Sequence, residues 1–329
     1  MIITKTPIRI SLGAGETDLP AYYERYGAKF ATSAGSKFVY VMVNPHPDKV
    51  VWMGMARAER VDSPEQLRHR VVRNVLRWMD ITRNIEIVSI SEIPPNSGLG
   101  GSSSFIVGLL KALHAYKGEY PWPVELAEEA CYVERVLLRE YAGKQDSYAA
   151  SLGGILWMQI SKRGSVKAAR LKLNDEFISN LADSIAFIYT GLERESSPIQ
   201  TSHRVALDKG NTALDEKLRK IGDIAESIRT ALERQDIVQF GELMDDHWTF
   251  KRGLNKEISN RTIDRLYDLG RQSGAIGGNL MGAGGGGHFM FVCKDKEAKA
   301  RLTKRFAVEG LREVDMRFEM VGSTLTKLT

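Results

Sequence analysis

The chain has very little cysteine: two residues, Cys131 and Cys293, among 329. Two thiols cannot build a disulfide framework, so a reducing cytoplasm is the expected compartment. Long apolar runs are missing as well. No stretch approaches the roughly 18 residues of a membrane-crossing helix, so no membrane is expected. The N-terminus, Met1-Ile2-Ile3-Thr4-Lys5-Thr6-Pro7, has no basic head, apolar block or small-residue cleavage site, and does not read as a secretion signal. Zinc spacing is absent. The six histidines (46, 69, 114, 203, 247 and 288) are scattered, with no His-Glu-x-x-His and no paired cysteines. Charge of one sign does not accumulate either: 46 Lys and Arg face 41 Asp and Glu, a net +5. The cations are mixed with acids, as in Asp215-Glu216-Lys217-Leu218-Arg219-Lys220. Nucleic-acid binders instead concentrate basic residues in a stripe or tail, so no nucleic-acid partner is expected. The small surplus suits an anionic small-molecule ligand or carries no meaning.

What is present is 43% hydrophobic residue content and length enough for two domains at roughly 100–200 residues each. The pattern predicts strands over 2–12, 29–44 (two runs around Gly35), 50–53 and 85–90, and helices over 19–26 and 64–79. Two long helices follow, over 102–116 and 123–139, then a hairpin over 154–160 and 166–173. Strand-rich text gives way to helix-rich text near 175–185, so the expected domains are 1–180 and 181–329. The end is read as strand 275–281, strand 289–293, helix 297–308 and strand 312–321. The class is α+β. With no long linker, the two halves are expected to share a packed interface with a cleft between them.

Three small-residue loops carry the chemistry. The sharpest is Gly98-Leu99-Gly100-Gly101-Ser102-Ser103-Ser104, preceded by Pro95 and Ser97 and opening an apolar helix. A helix N-terminus exposes about four unpaired backbone N–H groups and about half a positive charge. Glycines let the backbone approach a ligand, and serines offer hydroxyls to an anion or a metal. Together they form a phosphate cradle. A merely capped helix explains one serine and one glycine, not three of each. A Walker P-loop is excluded, because no Gly-Lys-Ser or Gly-Lys-Thr occurs. The second loop, Gly282-Ala283-Gly284-Gly285-Gly286-Gly287, fits the dinucleotide glycine pattern but leads into a strand, which is the wrong context. The third, Gly13 to Asp18, crowds Glu16, Thr17 and Asp18 at a strand end. These groups suit sugar hydroxyls, and an Asp capping the next helix explains them equally well.

In this order the three loops resemble the GHMP kinase superfamily, over nearly the whole chain. Pro7-Ile8-Arg9-Ile10-Ser11 with Gly13 to Leu19, Gly143-Lys144-Gln145-Asp146 and Tyr189-Thr190-Gly191 resemble the sugar kinases of the D-glycero-D-manno-heptose 7-phosphate kinase type. The resemblance implies a ribosomal S5 domain 2-like N-terminal domain and a ferredoxin-like C-terminal domain. It implies ATP and Mg²⁺, with ATP on Pro95, Ser97, Gly98, Leu99, Gly100, Gly101, Ser102, Ser103 and Ser104. By motif match, Ser102 and Glu134 resemble the magnesium ligands, Asp146 the catalytic aspartate and Arg9 the basic residue beside it. Gly15, Glu16, Thr17, Asp18, Gln145, Gly284 and Gly285 fall on the substrate side. Two departures stand out. Gly101 replaces a frequent serine, which leaves Ser103 open as the metal's serine. Asn279 replaces a frequent lysine, which removes a charge near the last glycine loop.

The implied reaction is phosphoryl transfer to a hydroxyl, the anomeric one by resemblance, of a heptose 7-phosphate or related sugar. A fucose-, galactose- or mevalonate-type kinase is the alternative enzyme, and a nucleotide-binding sensor without transfer is the alternative of another class. Such transfer relies on charge neutralisation and in-line geometry. Asp146 would accept or orient the attacking hydroxyl, with Arg9 orienting the carboxylate. A helix N-cap is the other reading of Asp146, and a surface partner of Arg135 or Arg139 the other reading of Glu134. A sugar phosphate needs a second anion site, for which Lys144 and Arg194 are candidates. Both also read as ordinary surface cations. A homodimer stays open.

Overall fold

The computed structural model describes residues 1–192 and 212–328. Among the described residues eleven strands are interspersed with helices: β1 (Ile2–Gly13), β2 (Ala28–Pro45), β3 (Val51–Gly54), β4 (Glu59–Val61), β5 (Ile85–Ser91), β6 (Ile155–Ile160), β7 (Val166–Arg170), β8 (Ile185–Tyr189), β9 (Ala275–Leu280), β10 (His288–Cys293) and β11 (Thr324–Lys327). Branched residues bury one face of β1 against the Gly101–Lys117 helix, whose Gly108 approaches Thr4 and Thr6 closely. The two runs expected over 29–44 are one 18-residue strand, β2. It forks the sheet near Gly35: residues 28–33 pair with β6 and residues 39–45 with β5. A Cβ at Gly35 would lie 3.0 Å from the Ile10 side chain, so glycine keeps the strand continuous there.

The remaining elements of the first sheet follow this fork, in the order β11-β1-β2-β5-β3-β4, with β6 and β7 branching from β2. A second sheet, β8-β10-β9, is antiparallel. The Ile237–Arg252 helix packs onto β9, where Gly277 leaves room for the Gly241 carbonyl. One continuous apolar core joins the halves: Ile8, Ile10, Phe30 and Tyr148 share it with Phe187, Ile228, Met244 and Met290. Both cysteines are buried and free. Among the described residues no helix is long and apolar enough to cross a membrane.

Three local expectations need correcting. The helix expected from Pro64 begins at Arg70, because Pro64–Gln66 closes a short 3-10 turn and His69 caps the later start. The helix expected over 123–139 is α-helical only for Pro123–Tyr132 and continues as a π-helical turn, Val133–Leu137. The strand expected over 312–321 does not form. That segment crosses from one sheet to the other, bridging Ile188 through Glu313 and Gly35 through Phe318, so neither contact extends into a ladder. The strand lies further on, as β11, and returns the chain to β1.

Candidate active site

The glycine–serine loop enters the Gly101–Lys117 helix through Gly100, in the left-handed region at φ 71°. No side chain caps that helix, so its first N–H groups stay free for a ligand. The loop opens into a cavity of about 1280 Å³. Pro95, Ser97, Gly98, Gly100, Gly101, Ser102 and Ser103 line it. Leu99 and Ser104 turn away: Leu99 is in the core, and Ser104 donates its hydroxyl to the Pro7 carbonyl at 2.9 Å.

Arg9, on β1, reaches across the loop. Its Nε donates to Asp146 Oδ1 at 2.5 Å and its Nη2 to Oδ2 at 3.2 Å, a two-pronged grip. Its Nη1 donates to the Gly98 carbonyl at 3.0 Å. Asp146 lies in the first turn of the Gln145–Leu152 helix, whose N-cap is Lys144, so Asp146 is not the cap. Gly100 packs directly on the Asp146 carboxylate, where a Cβ would lie 3.0 Å from Cγ. Both residues line the cavity.

Glu134 is buried rather than a surface partner of Arg135 or Arg139. The π-helical turn adds a residue to the helical register and brings Val133 and Glu134 inward together. Ser103 Oγ donates to Glu134 Oε1 at 2.6 Å and Ser147 Oγ to Oε2 at 3.3 Å. Burial pushes the Glu134 carboxyl up to about 8; the Ser103 hydrogen bond opposes this and the Asp146 charge adds to it. Ser102 is exposed, so Ser103 is the serine that meets Glu134. A buried carboxylate among small hydroxyls, beside a helix N-terminus, is a hard-oxygen donor set that fits Mg²⁺.

The acceptor-side loop faces this corner. Gly15, Glu16 and Asp18 line the cavity. Thr17 does not, since its hydroxyl turns back to the Ala14 carbonyl at 2.7 Å. Asp18 accepts from the Gln145 N–H at 2.8 Å and packs against Gly143, where a Cβ would fall 2.0 Å from Oδ2. Burial pushes its carboxyl up to about 7; the Gln145 N–H opposes the rise and the Asp146 charge adds to it. Gln145 lines the cavity and donates to Ser11 at 3.1 Å. Of the last glycine loop, Gly284 lines the cavity, whereas Gly285 donates its N–H to Ile258. Lys144 does not line the cavity. Its ammonium is buried and bound to both Glu128 oxygens at 2.7 Å, away from the cavity. Arg194 lies outside the described residues.

The sequence reading missed three residues. Lys251 and His247 sit one turn apart on the Ile237–Arg252 helix and both reach Glu16 at 2.8 Å. Their i, i+4 spacing in a helical stretch was the available signal, but nothing local named Glu16 as the target. Burial pushes the Glu16 carboxyl up, yet Lys251 and His247 outweigh it and hold it well below the usual carboxylate range. Lys251 supplies positive charge next to the glycine loop where Asn279 cannot; Asn279 is buried with neither side-chain polar atom hydrogen-bonded. His288, the third, ties the two glycine loops together through Nδ1 and the Ser97 carbonyl at 2.9 Å.

Comparison with known proteins identifies the family. The GHMP kinases N terminal domain matches residues 67–154 and the GHMP kinases C terminal domain matches residues 228–309, together more than half of the chain. A D-glycero-alpha-D-manno-heptose 7-phosphate kinase of Campylobacter jejuni is 27% identical, over 98% of this chain and 97% of its own. A mevalonate kinase of Methanothermobacter thermautotrophicus is 29% identical over 61% of this chain and 62% of its own. Among solved structures, a D-glycero-D-manno-heptose 1-phosphate kinase from Bacteriodes thetaiotaomicron superposes with a TM-score of 0.83 over 100% of both chains, at 21% identity, which speaks to the fold. With both family domains in place on that fold, the chain belongs to the GHMP kinases and is a phosphotransferase with an alcohol group as acceptor.

Proposed function

We propose that the protein is an ATP- and Mg²⁺-dependent sugar kinase that phosphorylates the anomeric hydroxyl of a heptose 7-phosphate or a closely related sugar. The observation that carries this reading is the Arg9–Asp146 pair. It stands between an uncapped helix N-terminus and the loop that carries Glu16 and buried Asp18, within one cavity. The Campylobacter relative, matched nearly end to end, supports the heptose phosphate as substrate.

In this reading the triphosphate lies on the N–H groups that open the Gly101–Lys117 helix. Glu134 and a serine hydroxyl, Ser103 or Ser102, would hold Mg²⁺, which supplies charge neutralisation for the transferring group. Asp146, fixed on both oxygens by Arg9, keeps outward lone pairs to orient the acceptor hydroxyl and take its proton. Arg9 steadies that carboxylate and faces developing charge on the phosphoryl group. Glu16, Asp18 and Gln145 meet the other hydroxyls. With Lys144 tied to Glu128, the cavity wall among the described residues offers Arg57, Arg68, Arg70 and Arg139 to a substrate phosphate.

ADP release across a panel of heptose 7-phosphate, free galactose, free fucose and mevalonate tests the reading, with phosphorus NMR locating the new ester. Turnover of the heptose phosphate with a second phosphate on the anomeric oxygen is expected. Turnover confined to an unphosphorylated sugar or to mevalonate rejects it. Tight ATP binding with no turnover at all favours a sensor.

A further inference from the structure

We propose that Lys251 is a positioning residue for the acceptor: it fastens Glu16 of the acceptor loop to the last glycine loop, across the join between the two halves of the chain. The inference rests on the reading of Glu16 as a sugar-hydroxyl acceptor.

An ammonium has three protons and no lone pair. Lys251 Nζ donates to three acceptors: Glu16 Oε1 at 2.8 Å, the Leu280 carbonyl at 2.6 Å and the Gly282 carbonyl at 2.8 Å. The residue is 1% exposed. No proton is left for a ligand, so although Lys251 lines the cavity it acts through what it holds. His247, four residues earlier on the same helix face, places Nε2 2.8 Å from the other Glu16 oxygen and 3.3 Å from the Ala14 N–H; against an ionised carboxylate the proton belongs on Nε2. Both oxygens of Glu16 are therefore fixed by one helix, which is itself anchored by buried Phe240, Met244 and Trp248. Each carboxylate oxygen keeps a second lone pair, and the Glu16 side chain is 14% exposed, on the cavity wall. Lys251 and His247 thus aim those lone pairs at an incoming hydroxyl.

The two ends of the clamp are not equally dependent on it. Gly282 is wedged against Gly98, where a Cβ on Gly282 would lie 2.7 Å from the Gly98 Cα. The phosphate loop has further supports: Arg9 N–H to the Leu99 carbonyl at 2.9 Å, Arg9 Nη1 to Gly98, and His288 to Ser97. The Glu16 carboxylate is held by Lys251 and His247. Loss of Lys251 should therefore be felt at the sugar before it is felt at ATP.

The test is initial-rate kinetics on K251M, K251Q, E16Q and the K251M/E16Q double variant. The sugar KM should rise by about tenfold or more in each single variant, with the ATP KM within about threefold. The double variant should be no worse than the poorer single one, because both break one unit. K251M should also move the acid limb of kcat/KM for the sugar to higher pH, since Glu16 then has only His247 to oppose the rise that burial imposes. An unchanged sugar KM, an equal rise for sugar and ATP, or additive losses would overturn the proposal. If K251M does not fold, K251Q and E16Q carry the same criteria. A wild type that turns over no sugar rejects the sugar reading; the clamp is then read from thermal unfolding of the same four proteins, where additive losses overturn it.

Discussion

The phosphate corner and the acceptor side share one cavity but are built on different principles. Gly98 to Ser104 is a local device: a run of consecutive residues whose backbone, uncapped at Gly100, opens onto the cavity. The acceptor side is a convergence. Glu16 comes from a short 3-10 turn, Lys251 and His247 from a helix more than two hundred residues away, and Gly143 closes over Asp18 from a third place. A local device survives changes around it, whereas a convergence fails when any one partner moves.

Breaking the Arg9–Asp146 pair that joins the two regions should have the largest effect. Asp146→Asn is expected to lower kcat by about 10³-fold while ATP affinity stays within about threefold. Rates and an ATP titration check this, and an unchanged kcat would remove Asp146 from the chemistry. Next comes a contact on the acceptor side alone. Gly143→Ala would place a methyl 2.0 Å from Asp18, so it should lower kcat/KM for the sugar by about tenfold or more and reduce the melting temperature. Gly118→Ala is the control: it meets nothing within 4 Å and carries only the strain of φ +82°, about 1 kcal/mol.

Asp18 separates the regions by pH. Its folded value of about 7 lies above the ordinary 3.8, so between those values the folded protein holds a proton that the unfolded chain has lost. Its contribution to stability must fall as pH rises through that window. Asp18→Asn removes this slope, and its melting temperature should gain on wild type by about 3 °C or more between pH 5 and pH 8. A gap that does not change with pH would contradict the assignment. The smallest effect is expected at Lys144. Lys144→Gln should leave the sugar-phosphate KM within about threefold and cost about 1 kcal/mol of stability, because its charge serves Glu128. A large rise in KM would return Lys144 to the substrate site.

The same division explains how much was legible in the sequence. The Gly98–Ser104 loop could be read because its consecutive glycines and serines specify it, whereas the segment around Asp146 read only as a polar turn. The pairing of Arg9 with Asp146 came from the resemblance, since nothing in the spacing joins residues 137 positions apart. The Gly101 departure left Ser103 open beside Ser102, and Ser103 meets Glu134; the burial of Glu134 was hidden by a π-helical turn, which hydrophobic periodicity does not forecast. Lys144 read as a candidate anion anchor or an ordinary surface cation; Glu128, one helix earlier, pairs with it. The last strand was misplaced because the segment 312–321 looks extended but spans two sheets.

A crystal structure with a non-hydrolysable ATP analogue and Mg²⁺ tests the central claim most directly. The triphosphate should rest on the N–H groups opening the Gly101–Lys117 helix, with its terminal phosphate facing Asp146 and Arg9 and its metal at Glu134. A triphosphate bound in another part of the cavity, with that helix end bare, would contradict the account.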